Sequence, residues 1–404
     1  MIRRRLLSTL ALLAGTLLAA CGGGGGSDAG ATPDAGGNPS SSGVGSLQLS
    51  LTDAPACYEQ VNVTVERIRI HRSADAADDD GGWSELVLHP SRRVDLTRLT
   101  NGRLEGLGRV TLPAGTYTQM RLVLADNTNA DPLANSVKPY GGAEVPLKTP
   151  SGQQSGLKLK LDVVVPEGQV AHLVLDFDAC KSVVKAGKSG KYLLKPVLNA
   201  IAVLADVGQK VEGCVAPSLL PPRTEVSLQR AGVPVKSTAP ADDGCFVLYP
   251  VPPGTYDLVV ASPGHATAVM TGVPVDLDRP TIVSTPTLPI DPPYSRSREV
   301  AGVVDPADAT VRALQTLSDG PRIEVRRADV DADDGSFVMS LPISAPWRTR
   351  YLRIDPRLLP PTLGFGYDLP AAGLYTAAAR RLLAVEALDI DVRDPVPPLS
   401  FKLN

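Results

Sequence analysis

A short plan occurs twice in the second half of the chain, and it narrows the fold more than any other feature. Val211-Glu212-Gly213-Cys214-Val215 returns as Val300-Ala301-Gly302-Val303-Val304, and Asp243-Gly244-Cys245-Phe246 returns as Asp334-Gly335-Ser336-Phe337. The spacings are 89 residues from Gly213 to Gly302 and 91 from Gly244 to Gly335, as a duplicated domain requires. Each copy reads as β structure: Asp-Gly supports a tight turn, and the phenylalanine after it enters a strand. Gly and Pro, 37 of each in 404 residues, favour turns and short strands over long helices. Past Phe337 the copies diverge. Nothing there matches Pro252-Pro253-Gly254-Thr255-Tyr256, and Ala377 to Ala387 reads as a short helix.

The first half carries the same period-two signal. Leu47, Leu49 and Leu51 alternate with polar residues, as do Val61, Val63 and Val65. The phase then slips by one residue to Ile68 and Ile70. A one-residue slip turns every side chain to the other face, so a β-bulge is expected near Glu66-Arg67. Leu157, Leu159, Leu161 and Val163, then Leu173, Leu175 and Phe177, alternate likewise, with turn clusters at Pro113-Ala114-Gly115 and Gly141-Gly142. Asp176 and Asp178 share a strand face and read as solvent-facing charges. The expected fold class is all-β: three β-sandwich-like domains in tandem, after a signal peptide and a disordered Gly/Ser linker.

The N-terminus supplies an address. Arg3, Arg4 and Arg5 precede an apolar run from Leu6 to Ala20, too short to span a bilayer comfortably, which reads as a signal peptide over residues 1–20. Residues 21–45, rich in Gly, Ser, Asp and Pro, cannot form a core and read as a flexible tether. Losing the three arginines takes the formal net charge from −3 to −6. Domains are expected at 46–206, 209–285 and 299–404, with a Pro-rich linker at 286–298.

Three resemblances sharpen this reading. Leu18-Ala19-Ala20-Cys21 resembles the bacterial lipobox, which implies cleavage before Cys21 and acylation of that cysteine. Gly22, in place of the aspartate of inner-membrane lipoproteins, implies the outer membrane, facing either periplasm or cell surface. Leu51-Thr52-Asp53-Ala54-Pro55, Leu112 to Leu122 (LPAGTYTQMRL), Leu175-Asp176-Phe177-Asp178 and Leu194-Lys195-Pro196-Val197 resemble, in order, a bacterial lipoprotein domain family of unknown function. That family brings no catalytic residues. Gly213-Cys214, Asp243-Gly244-Cys245-Phe246 and Pro252 to Tyr256 resemble the carboxypeptidase-regulatory-like, transthyretin-like sandwich, a carbohydrate-binding-like fold.

The chemistry-bearing residues are few. With Cys21 lipidated, Cys57, Cys180, Cys214 and Cys245 remain in an exported chain, where disulfides are the natural use. Four cysteines allow three pairings, of which the domain boundaries favour Cys57–Cys180 and Cys214–Cys245. No cysteine spacing suits zinc. Asp329, Asp331, Asp333 and Asp334 read as a solvated hairpin turn rather than a calcium loop, because Asp334 and Ser340 stand where an EF-hand needs glycine and glutamate. Asp75, Asp78, Asp79 and Asp80 read as another polar loop. His71, His89, His172 and His265 are scattered, and Gly187-Lys188-Ser189 lacks the rest of a phosphate loop. Trp83 and Trp347 are the stacking candidates. The balanced charge excludes a generally basic nucleic-acid binder. The expectation is a non-catalytic, lipid-anchored envelope protein without cofactor or metal, held to the membrane, with a glycan or an envelope protein as partner. A carbohydrate-binding lipoprotein is the first alternative and an envelope hydrolase the second.

Overall fold

Gly213 and Gly302 occupy the same place in two copies of one strand plan. A Cβ on Gly213 would lie 2.6 Å from Cζ of Phe246, and one on Gly302 would lie 2.5 Å from Cζ of Phe337. Each glycine leaves room for the buried phenylalanine ring of the strand beside it. The turns before those rings place Gly244 and Gly335 at φ of +81° and +70°, which glycine adopts without cost. The repeat is therefore a packing unit: a bare strand position, a left-handed turn and a ring.

The computed structural model describes residues 43–53, 58–150, 155–186, 190–205, 207–219, 224–355 and 362–403. It is all-β, with 57% strand and 4% helix. The first sandwich holds β1 (Val44–Asp53), β2 (Gln60–His71), β3 (Ser84–Asp95), β4 (Glu105–Pro113), β5 (Gly115–Leu124), β6 (Ser136–Lys138), β7 (Val145–Lys148), β8 (Leu157–Val165) and β9 (Val170–Phe177). A one-turn helix α1 (Ala179–Ser182) follows, then β10 (Val183–Ala186), β11 (Lys191–Leu194) and β12 (Leu198–Val203). The second holds β13 (Val211–Cys214), β14 (Glu225–Arg230), β15 (Val233–Thr238), β16 (Cys245–Leu248), β17 (Gly254–Ala261), β18 (Ala268–Val275) and β19 (Thr281–Ile282). The third holds β20 (Ser297–Asp305), β21 (Thr310–Thr316), β22 (Arg322–Val330), β23 (Ser336–Pro342), β24 (Trp347–Arg350), β25 (Gly366–Tyr367), β26 (Leu374–Arg381), β27 (Ala384–Asp391) and β28 (Leu399–Lys402).

The connectivity repeats in all three. The opening strand lies antiparallel to one neighbour and parallel to the last strand of the plan: β1 between β4 and β9, β13 between β16 and β19, β20 between β23 and β28. The second strand pairs with the two flanking it: β2 with β3 and β5, β14 with β15 and β17, β21 with β22 and β26. The sheet then continues to β8, β18 and β27. The first sandwich adds β6 and β7 inside this plan and β10 to β12 after it.

Alternation builds the first core. Leu47, Leu49 and Leu51 of β1 face Val61, Val63 and Val65 of β2 in one fully buried cluster. The register of β2 shifts between Val65 and Arg67 in both of its pairings, so the expected bulge is there. Glu66 takes the extra, exposed position, and Ile68 and Ile70 stay inside.

The third copy departs from the plan by insertion. β24 runs parallel to β18 and β25 pairs with β24, so both extend the sheet of the second sandwich. Trp347 and Phe365 stack with ring centroids 4.3 Å apart against the second core. The inserted residues separate a bond that the other copies make locally. Tyr117 and Tyr256 donate their hydroxyls to the carbonyls of Pro113 and Pro252, four residues back, at 2.8 and 2.7 Å. Tyr375 donates to Pro342, 33 residues back, at 2.7 Å. Gly373-Leu374-Tyr375 thus fills the place of the missing Gly-Thr-Tyr.

The helix expected over Ala377–Ala387 is instead the β26–β27 hairpin. Tyr375, Ala377 and Ala379 point inward against the third core. Pairing of β26 with β21 on one side and β27 on the other outweighs the helix propensity of the alanines.

Candidate functional site

The parallel pairing of β1 with β9 sets Thr52 beside Asp176 and Asp53 beside Phe177. Two motifs distant in sequence therefore end side by side, at the start of α1. Asp53 Oδ1 accepts the Ala179 N–H at 2.8 Å, and Asp178 Oδ1 accepts the Lys181 N–H at 3.0 Å. These carboxylates satisfy orphan donors at a helix start. Asp178 also pairs with the Lys181 ammonium. The third motif closes the far side of α1. Ser182 Oγ accepts the Val197 N–H at 2.8 Å, the Ser182 carbonyl accepts the Lys195 N–H, and the Val197 carbonyl accepts the Asp178 N–H. At the centre of α1, Cys180 is disulfide-bonded; Cys57 and Cys21 lie outside the described residues. Cys214 and Cys245 face each other across β13 and β16 and form a disulfide.

Asp176 and Asp178, expected to face solvent, are buried. Asp178 is enclosed by its bonds to Lys181 and Val197 within the first sandwich, and Asp176 is covered by β15 of the second. Lys236 reaches out of β15 to Asp176, and their side chains are 1% and 5% exposed. Asn101, at φ +61°, reinforces the contact. Its N–H donates to Thr238 Oγ1 at 2.8 Å, its side-chain oxygen accepts the Val247 N–H, and its side-chain amide reaches the Cys245 carbonyl.

Burial pushes the Asp53 carboxyl well above the usual carboxylate range. The Ala179 N–H pulls it back, and the charges of Asp178 and Asp176 push it further. Its Oδ2 has no hydrogen-bond partner among the described residues. Burial pulls the Lys181 ammonium down, but the charges of Asp178 and Glu225 overcome this and leave its pKa raised.

The third sandwich meets both others here. The Gln229 side chain forms a two-point clamp on Glu324, accepting its N–H at 2.7 Å and donating to its carbonyl at 2.8 Å. Ala332 donates its N–H to the Lys185 carbonyl. A groove of about 480 Å³ between Lys181, Lys195, Asp308 and Asp329 marks the first–third contact.

The other candidates stay apart. His172 bonds Ser50 at 3.0 Å, His71 the Gly81 carbonyl at 3.0 Å, and His265 the Pro263 carbonyl at 3.1 Å. Trp83 donates to the Ala77 carbonyl and lies under the guanidinium groups of Arg69 and Arg121, so its ring is occupied. Asp78 pairs with Arg121, and Asp80 accepts the Ala77 N–H. Asp331 and Asp334 accept the N–H groups of Asp333 and Ser336, closing the β22–β23 hairpin. Among the described residues, no group of three or more His, Cys, Asp or Glu is placed to hold a metal ion, and no helix is long and apolar enough to cross a membrane. An open cleft of about 620 Å³ lies beside β24 and β25, where Tyr367 exposes its ring near Arg350 and the Arg348–Asp319 pair.

Lys236 and Asn101 escaped sequence reasoning. The signal for Lys236 was a single cation inside Val233-Pro234-Val235-Lys236; for Asn101-Gly102 it was the dipeptide itself, which favours positive φ. Pro113 to Tyr117 and Pro252 to Tyr256 both read Pro-x-Gly-Thr-Tyr, which relates the first sandwich to the second.

No curated protein matches the chain. Among solved structures, an interface mutant of the type II cohesin–X-dockerin complex from Acetivibrio cellulolyticus is 22% identical over 22% of this chain and 59% of its own, with a TM-score of 0.19. The Bacillus anthracis TIE protein is 12% identical over 89% of this chain and 50% of its own, with a TM-score of 0.16. A streptococcal ancillary pilin is 11% identical over 89% of this chain and 99% of its own, with a TM-score of 0.13. The chain thus spans less than two thirds of the length of the first two. Residues 44–196, which contain the motifs converging on α1, match a family described as a domain of unknown function, DUF4382.

Proposed function

We propose that this chain is a non-catalytic, lipid-anchored envelope protein, a body of three fastened sandwiches held at the outer membrane through Cys21, acting in envelope structure or binding. The observation that carries the reading is the Lys236–Asp176 pair. The buried acidic residues beside α1 are engaged in holding the fold. Asp176 holds a neighbouring sandwich, while Asp53 and Asp178 cap α1. A carboxylate sealed in an interdomain ion pair has no access to a substrate proton. The anchor rests on the lipobox resemblance at Leu18 to Cys21.

Metabolic labelling with a fatty-acid probe tests the anchor. The parent chain should take up label and sediment with membranes, and the Cys21→Ser chain should do neither. Label on the serine variant overturns the anchor. Turnover of a glycoside, ester or peptide that His172→Ala or Asp178→Asn abolishes overturns the non-catalytic reading.

A second reading, a glycan-binding lipoprotein, is favoured by the cleft beside β24 and β25. An exposed Tyr367 ring next to arginine and aspartate side chains suits a sugar's apolar face and its hydroxyl pairs. Retention on a glycan array that Tyr367→Ala removes would select this reading.

A further inference from the structure

The hairpin joining β26 to β27 turns on Leu382 and Leu383, which are 80% and 95% exposed, with Val385 beside them at 54%. Leu382 has φ +51°. Two-residue hairpin turns need that left-handed conformation and normally take it with glycine, asparagine or aspartate. A bulky side chain there is an outlier, and exposure returns no burial to offset it. Two basic residues precede the turn. Arg381 pairs with Asp308, whereas the Arg380 guanidinium bonds only the Leu382 carbonyl and has no acidic partner among the described residues. β27 is the edge strand of its sheet, so one side of the hairpin is unpaired.

We propose that this tip inserts into a lipid surface carrying anionic headgroups, with Leu382 and Leu383 entering the acyl boundary and Arg380 pairing with a headgroup phosphate. The shape selects this occupant. Two turn residues and one flanking valine are a convex point, far short of the roughly 800 Å² per partner that a stable protein interface buries. A bilayer accepts a convex apolar point, and arginine beside it extends its charge to headgroup level. The strained Leu382 is then a functional outlier, held in place by the register of β26 and β27 on either side.

Insertion of the tip does not require the lipid anchor, and vesicle binding by the unacylated chain separates the two. The mature chain carrying Cys21→Ser is sedimented with vesicles of phosphatidylcholine alone and of phosphatidylcholine with phosphatidylglycerol. It should bind the mixed vesicles better than the neutral ones. A Leu382→Ser, Leu383→Ser double variant should lose binding by on the order of tenfold or more. Arg380→Gln should lose less, and only on the anionic vesicles. Both leucines are exposed, so the unfolding midpoint of the double variant should be no lower than the parent's, which certifies the fold. Absence of vesicle binding by the Cys21→Ser chain, or equal binding by the double-serine variant, overturns the proposal. So does a parent that sizes as a dimer and a double variant that sizes as a monomer, which would make the occupant a second copy of this chain.

Discussion

Lys236 of the second sandwich and Asp176 of the first form an ion pair with 1% and 5% of their side chains exposed. The two belong to sheets built around separate cores. Desolvating both charges cancels much of their attraction, so such a pair adds little over a well-packed apolar contact; either half alone is costly. The pair ties β15 of the second sandwich to β9 of the first.

Replacing Lys236 with Met should therefore cost about 3–5 kcal/mol in denaturant unfolding, because Asp176 stays buried without a partner. Adding Asp176→Leu should recover most of that loss. A single-variant loss under about 1 kcal/mol would remove the pair from the docking account.

Asp53 gives a pH dependence with a definite sign. Its carboxyl sits well above the ordinary range when folded. In the unfolded chain it releases its proton near the ordinary value of about 3.9. Between those two values the folded state holds a proton that the unfolded state has lost, so this residue's contribution to stability falls as pH rises. Asp53→Asn keeps the acceptor for Ala179 and removes the titration. Its stability relative to the parent should be greater at pH 7 than at pH 4; a pH-independent difference would contradict this origin.

The Cys214–Cys245 bridge closes a sequence separation of 31 residues within one small sandwich. In the chain-entropy account a loop of this length stabilises by about 3–4 kcal/mol. The Cys214→Ala, Cys245→Ala variant should show a loss of that size by chemical denaturation. An unchanged midpoint would place the stability of this sandwich in its core alone.

Tyr375 tests whether the inserted third copy still depends on the shared bond. Tyr375→Phe removes one hydroxyl and leaves the Pro342 carbonyl buried beside the ring, at an expected cost of about 1 kcal/mol. Tyr256→Phe should cost a similar amount, since the same hydroxyl–proline bond is made there locally. A neutral Tyr375→Phe would mean that the bond no longer contributes once 33 residues separate its partners.

Much of the architecture was legible in local pattern. The bulge at Glu66 followed from the phase slip between Val65 and Ile68, since period two makes any slip visible. The repeat was legible in its matched motifs and near-equal offsets; that Gly213 and Gly302 make room for a phenylalanine ring shows only in the packing. The β26–β27 hairpin was misread because alanine carries no β signal of its own. Only the flanking strands β21 and β27 reveal that Ala377 and Ala379 face a core. Asp176 and Asp178 were misread for a similar reason: alternation says which side of a strand they occupy, not what covers that side.

The sequence by itself determined the all-β class, the alternating cores, the duplicated plan and the cysteine inventory, because each depends on residues within one strand, one turn or one count. Tertiary structure alone decided that Asp53 reaches the start of α1, 126 residues away, that β24 extends the sheet of a different sandwich, and that Lys236 seals the first junction. These depend on which surfaces face one another across 60 residues or more, where the free energy is set by burial and charge pairing rather than by local conformation.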